Sequence, residues 1–128
     1  MRLLLDTHTL IWWIAATDRL GETVDRLLQD PDNDVQVSVV SAWEIAVKVQ
    51  RGKLQFDGAF LDAFDARVAQ LGWRTLPILT AHAIAAARLP GSHKDPFDRL
   101  IAAQARLEGL TVATVDRDIA ALGATVIW

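Results

Sequence analysis

Apolar residues along this chain fall into two rhythms. Short apolar or β-branched runs, Arg2–Leu5 (RLLL), Val35–Ser38 (VQVS), Thr111–Thr114 (TVAT) and Thr125–Ile127, read as strands. A short extended piece falls near Trp73–Leu76. Between them lie longer stretches read as helices: Thr9–Ala16, Thr23–Leu28, Ala42–Gln50, Phe60–Leu71, Ala81–Arg88, Pro96–Glu108 and Arg117–Leu122. Turn signals sit at Asp30-Pro31-Asp32-Asn33, Arg51-Gly52, Pro90-Gly91-Ser92 and Gly109. Gly52 and Gly109 stop the helices before them. Strands alternating with helices predict an α/β fold built on a parallel sheet. The strand runs are nearly continuous in apolar residues, as a sheet covered on both faces requires. With no repeat, linker or low-complexity segment, residues 1–128 read as one domain.

Ligands of such sheets bind beyond the carboxyl ends of the strands. Four acids fall there. Asp6 ends the first strand, and Asp116 follows the strand Thr111–Thr114. Glu44 lies one turn into the helix after the second strand, and Asp98 opens the helix Pro96–Glu108. Each has a purely structural alternative. Ser41-Ala42-Trp43-Glu44 is a capping-box pattern with Ser41 as N-cap, and Lys48 stands at i+4 from Glu44. Asp95 reads as N-cap ahead of Pro96 and Asp98. Asp6 and Asp116 also stand where caps belong.

Two features favour a site over four separate caps. Asp98 shares its helix face with Ile101, Ala102 and Ala105, so its carboxylate lies on a core-facing stripe. A carboxylate there is costly unless something compensates it. Asp6 directly follows three leucines of a central strand. Carboxylates gathered at one edge repel one another, and a hard divalent cation such as Mg²⁺ or Mn²⁺ relieves that repulsion through oxygen ligands. The matching chemistry is phosphodiester hydrolysis, in which metal ions hold the phosphate and acidify a water.

Composition narrows this picture. There is no cysteine, which excludes disulfides, thiolate metal sites and cysteine nucleophiles and fits a reducing compartment. No apolar run approaches the roughly 20 residues needed to span a bilayer, and no signal peptide is visible, so a cytoplasmic location is expected. The net charge is −3 and there is no basic run, so charge alone does not announce nucleic-acid binding. Lys48, Arg51, Arg99 and Arg117 neighbour the acids and are the candidate phosphate contacts, with solvated surface charge as the alternative.

Four blocks carry a family resemblance: LLLDTHTLIWW, VVSAWEIAVKVQRGKL, SHKDPFDRLIAAQARLEGL and TVATVDRD. In order, and with spacings of 38, 54 and 18 residues between successive acids, they resemble PIN-domain proteins, and within these the VapC-type toxins. The resemblance covers essentially the whole chain. It implies a three-layer α/β/α sandwich around a mainly parallel sheet of about five strands. It implies a Mg²⁺- or Mn²⁺-dependent endoribonuclease, with Asp6, Glu44, Asp98 and Asp116 as catalytic metal ligands. Thr114 resembles the hydroxyl residue that supports the last acid, and Asp95 is a less certain ligand that also caps its helix. The resemblance further implies an RNA substrate, a cognate antitoxin protein and a homodimer.

His8 is read as a capping or packing residue, and His82 and His93 as surface or loop residues. The five tryptophans are read as packing groups, except that Trp12 and Trp13 are adjacent and cannot both face one core, which leaves one for a dimer or antitoxin surface. Two other function classes compete. A receiver-like signalling domain would need an acidic pair after the first strand, where Thr7 and His8 stand instead. A PIN fold used for RNA processing or binding outside a toxin–antitoxin pair remains the alternative, with small size and the lack of an added domain favouring the toxin.

Overall fold

The computed structural model describes residues 1–91 and 93–128, so Ser92 of the expected Pro90-Gly91-Ser92 turn lies outside the described residues. Five strands form one sheet: β1 (Arg2–Leu5), β2 (Asp34–Ser38), β3 (Arg74–Leu76), β4 (Thr111–Ala113) and β5 (Val126–Ile127). Their order is β3-β2-β1-β4-β5, and every pairing is parallel. The chain adds strands to one side of β1 and then returns to add them on the other. That reversal makes β1 and β4 a topological switch point, where a crevice opens beyond the strand ends.

Helices cover both faces. Leu3 and Leu5 of β1, with Val35 and Val37 of β2, point into a core shared with α1 (Thr7–Ala15), α2 (Glu22–Gln29), α3 (Val39–Gln50), α4 (Gly58–Asp62) and α5 (Phe64–Gln70). Leu4 points the other way, with Val112 of β4, onto α7 (Pro96–Glu108) and α8 (Arg117–Ala121). All three leucines are completely buried. Each such side chain stabilises the fold by roughly 1.5–3 kcal/mol relative to exposure. Helix α7 presents Ile101, Ala102 and Ala105 to the sheet and ends at Gly109, whose φ of 67° is the left-handed turn expected of a C-terminal glycine.

Several element boundaries differ from the sequence expectations. Helix α3 starts at Val39, not Ala42, because Ser38 closes β2 and caps α3 at once: its Oγ accepts from the Val40 N–H at 3.0 Å. Ser41 is therefore inside the helix, where its hydroxyl meets that of Thr7 at 3.0 Å, and Glu44 is in the second turn rather than a capping box. Phe60–Leu71 is two helices. Asp57 caps α4, and Ala63, at φ −121° and ψ 38°, breaks the run before α5. A short 3₁₀ turn at Thr17–Arg19 has no counterpart in the expected pattern.

His82, on α6 (Thr80–Arg88), is not a surface residue: it is 1% exposed. Its Nδ1 accepts the Leu79 N–H at 3.0 Å, which puts the ring proton on Nε2, donating to Glu108 at 2.7 Å. Gln104 continues this polar seam. Its Oε1 accepts from the Ser38 hydroxyl at 2.5 Å and its Nε2 donates to the Pro77 carbonyl at 3.1 Å. Replacing Gln104 with Leu leaves the buried Ser38 proton without a partner and removes the donor to the Pro77 carbonyl. The variant is expected to lose about 1–3 kcal/mol in chemical denaturation, and an unchanged midpoint would show the seam to be neutral.

Candidate active site

Asp6 follows β1 directly and caps α1, with its Oδ1 accepting from the Thr7 N–H at 2.7 Å. Its Oδ2 accepts the Thr114 hydroxyl at 2.8 Å. Thr114 Oγ1 in turn accepts the Asp116 N–H at 2.9 Å. A threonine hydroxyl has one proton to give, and here it goes to Asp6. Thr114 thus ties the acid after β1 to the acid after β4. Asp116 caps α8 through its Oδ1, bonded to the Asp118 N–H at 2.8 Å.

Glu44 reaches the same edge from α3 and is 4% exposed. Its Oε2 pairs with Lys48 Nζ at 2.5 Å, one helical turn on. Its Oε1 is buried with no hydrogen-bond partner among the described residues. Asp98 sits in the first turn of α7, which Asp95 caps by accepting from the Phe97 N–H at 2.9 Å and the Asp98 N–H at 3.3 Å. Asp98 Oδ2 meets His93 Nε2 at 2.8 Å. That contact holds His93, a loop residue as expected, against Asp98. Its signal lay only in a spacing of five residues across a turn, which no helix or strand period marks.

Burial raises the Asp6 carboxyl above its ordinary range, against the Thr114 bond that lowers it, and the charge of Glu44 adds to the rise. Asp98 is pushed up to about 6, first by burial and then by the charges of Asp95, Asp6 and Asp116, while His93 opposes the shift. His93 is raised, chiefly by its bond to Asp98. The carboxylates of β1, α3, α7 and β4 therefore act on one another at one sheet edge.

The cations are placed differently from expectation in one case. Arg99 gives its guanidinium to the carbonyls of Ala86 and His93, both at 3.0 Å, and of Leu89, and so braces the segment before α7. It is not free for a phosphate. Lys48 is held by Glu44, whereas Arg51 and Arg117 are exposed and make no ion pair among the described residues. His8 is exposed beside Trp12, with ring centroids 6.0 Å apart. The tryptophan expectation is also corrected. Trp12 and Trp13 both pack against the core, Trp12 on Trp128 and Trp13 on Trp73, and the exposed ring is that of Trp43.

The residues suit a hard cation. The donors are all oxygen, one buried carboxylate oxygen is orphaned, and two carboxyls are destabilised as anions. Among the described residues no three His, Asp or Glu side chains form a ready-made cage. Mg²⁺ asks for less, because one or two carboxylates, waters and a substrate phosphate commonly complete its shell.

A five-stranded parallel sheet of this order, with acids from four elements at its carboxyl edge, is the architecture of a PIN domain. The chain belongs to that family, whose model, described as PIN domain, matches residues 3–124. Ribonuclease VapC22 of Mycobacterium tuberculosis is 31% identical over 115 residues, which span 89% of this chain and 86% of that protein. The crystal structure of FitAcB from Neisseria gonorrhoeae superposes with a TM-score of 0.67 at 26% identity, covering 98% of this chain and 96% of that one. VapBC2 from Rickettsia felis, bound to a promoter DNA fragment, superposes at 0.71 over 99% and 98% of the two chains. At 15% identity that last likeness speaks to fold alone.

The electrostatics fix the sign of a test. A carboxyl whose folded pKa is raised binds its proton more tightly in the folded state. The ionised form therefore weakens the metal-free fold above about pH 6, and stability returns as pH falls from there towards 4. The raised His93 acts in the same direction. Asp98→Asn in EDTA is expected to be more stable than the parent at pH 8, by on the order of 1–2 kcal/mol, and indistinguishable at pH 4. Thermal melts at both pH values check this, and an Asn variant that melts lower at pH 8 contradicts the account.

Proposed function

We propose that this PIN-domain chain is a metal-dependent endoribonuclease, the toxin of a toxin–antitoxin pair. One observation carries the metal dependence: the orphaned Glu44 Oε1, buried on a carboxylate whose charge helps to raise the carboxyl of Asp6. The relation to Ribonuclease VapC22 supports RNA as the substrate.

Asp6, Glu44, Asp98 and Asp116 are the residues that would hold Mg²⁺ or Mn²⁺. When bound, the ion supplies an acidified water and positive charge at the scissile phosphate. Thr114 fixes the carboxylate of Asp6 and the backbone entering Asp116, so both acids keep their aim. Asp95 holds the first turn of α7 and with it Asp98, which makes it a positioning residue. Lys48 neutralises part of the Glu44 charge until a cation takes that place. Arg51 and Arg117 are the open cations for flanking phosphates.

A cognate antitoxin and a homodimer belong to this reading through the toxin-type resemblance of the four motif blocks. A cytoplasmic location belongs to it as well. No helix among the described residues is long and apolar enough to cross a membrane.

Cleavage of total RNA in Mg²⁺ or Mn²⁺ tests the proposal. Activity is expected to vanish with EDTA and to drop by at least about 100-fold in Asp6→Asn. Cutting that survives either treatment would falsify the mechanism.

A further inference from the structure

Trp43 is unlike the other four tryptophans. Trp12 lies 5.7 Å from Trp128 and beneath the Arg19 guanidinium, and Trp13 lies 5.3 Å from Trp73. Trp43 leaves 50% of its surface open. One side is nevertheless fixed, because Phe97 meets it edge-on at 4.8 Å and 75°. Phe97 itself packs on the core beneath α7. The pair bridges the two helices that carry Glu44 and Asp98, and each ring immediately precedes one of those acids in the chain. A half-open aromatic surface is thus braced between the N-terminal halves of the two helices that carry Glu44 and Asp98.

The charges say what such a ring would serve. The chain is net negative, Lys48 is held by Glu44, and Arg99 is spent on backbone carbonyls. Of the four cations that neighbour the acids along the chain, only Arg51 and Arg117 stay open to an RNA strand, so contacts other than phosphate pairing would add to its affinity. Base stacking on an aromatic ring is one such contact, available to every base. We propose that Trp43, braced by Phe97, is the stacking platform for a nucleobase flanking the scissile phosphate of single-stranded RNA. This rests on the ribonuclease reading given above.

The probe is a labelled RNA of about ten nucleotides spanning a site that the parent chain cuts in total RNA, a length within the usual range of single-strand sites. Trp43→Ala is expected to raise KM about tenfold, the size of one lost stack, with kcat within about threefold. Trp43→Phe should stay within about threefold of the parent in both, since a ring remains. Abasic probes supply the readout that a merely structural role would not move. Removing one particular base beside the cut should raise KM for the parent and leave Trp43→Ala unchanged. The proposal is overturned if Trp43→Ala keeps the parent KM, or if every abasic probe affects both proteins equally. Unchanged KM with a lower mass by light scattering would assign the ring to a protein interface instead. If the parent cuts no RNA at all, the ribonuclease reading falls, and this proposal with it.

Discussion

The structure is organised around a repulsion. Acids from four separate elements converge where β1 and β4 end, and the charge of Glu44 makes Asp6 harder to ionise, as the charges of Asp95, Asp6 and Asp116 do Asp98. Burial is the larger cause for both, because a low-dielectric surrounding withdraws solvation and strengthens like-charge repulsion together. A fold does not accumulate such a penalty for stability. The surrounding contacts restrain the charges instead of removing them. The Thr114 hydroxyl takes one oxygen of Asp6, Lys48 one oxygen of Glu44, and His93 one oxygen of Asp98. Each carboxylate keeps at least one oxygen that no side chain has taken, which leaves the edge chemically open to a cation.

Helix termini help to hold the charges in place. Asp6, Asp95 and Asp116 each cap a helix, where exposed N–H groups and the helix dipole favour an anion. Capping a helix and standing ready for a cation are therefore compatible roles for an acid at this edge. Glu44 differs. It lies well inside α3, with no backbone donor on it, and is the acid with the orphaned oxygen. Its position is the least explicable by structure alone.

The strands were legible because both faces of the sheet are covered, which leaves unbroken apolar runs in the sequence. Helix α7 was legible to the residue, since Asp95, Pro96 and Gly109 mark its ends with distinct chemistry. Less could be read where local and long-range signals compete. Ser41 looked like a cap because it precedes Ala42-Trp43-Glu44, but Ser38 holds that place, stabilised by Gln104 sixty-six residues away. His82 looked solvated because a lone histidine on an alanine-rich helix carries no sign of its partners, Glu108 and Gln104. Arg99 looked like a phosphate ligand because it adjoins Asp98, yet in a helix adjacent residues face different ways. For Ser41 and His82 the deciding contact is remote in sequence, and for Arg99 it lies in the carbonyls of the preceding turn and helix.

The junction of β2 and α3 has no loop, since Ser38 belongs to both. A helix turns by roughly 100° per residue. Adding or removing one residue between the β2 register and Glu44 would swing that side chain a quarter turn or more away from the crevice, with nothing flexible to absorb the change. The segment after α3, from Arg51 to Asp57, is under no such restriction. Length variation among homologues should therefore collect after α3 and be missing before it, so that the count of residues from Asp34 to Glu44 behaves as a fixed dimension of the enzyme.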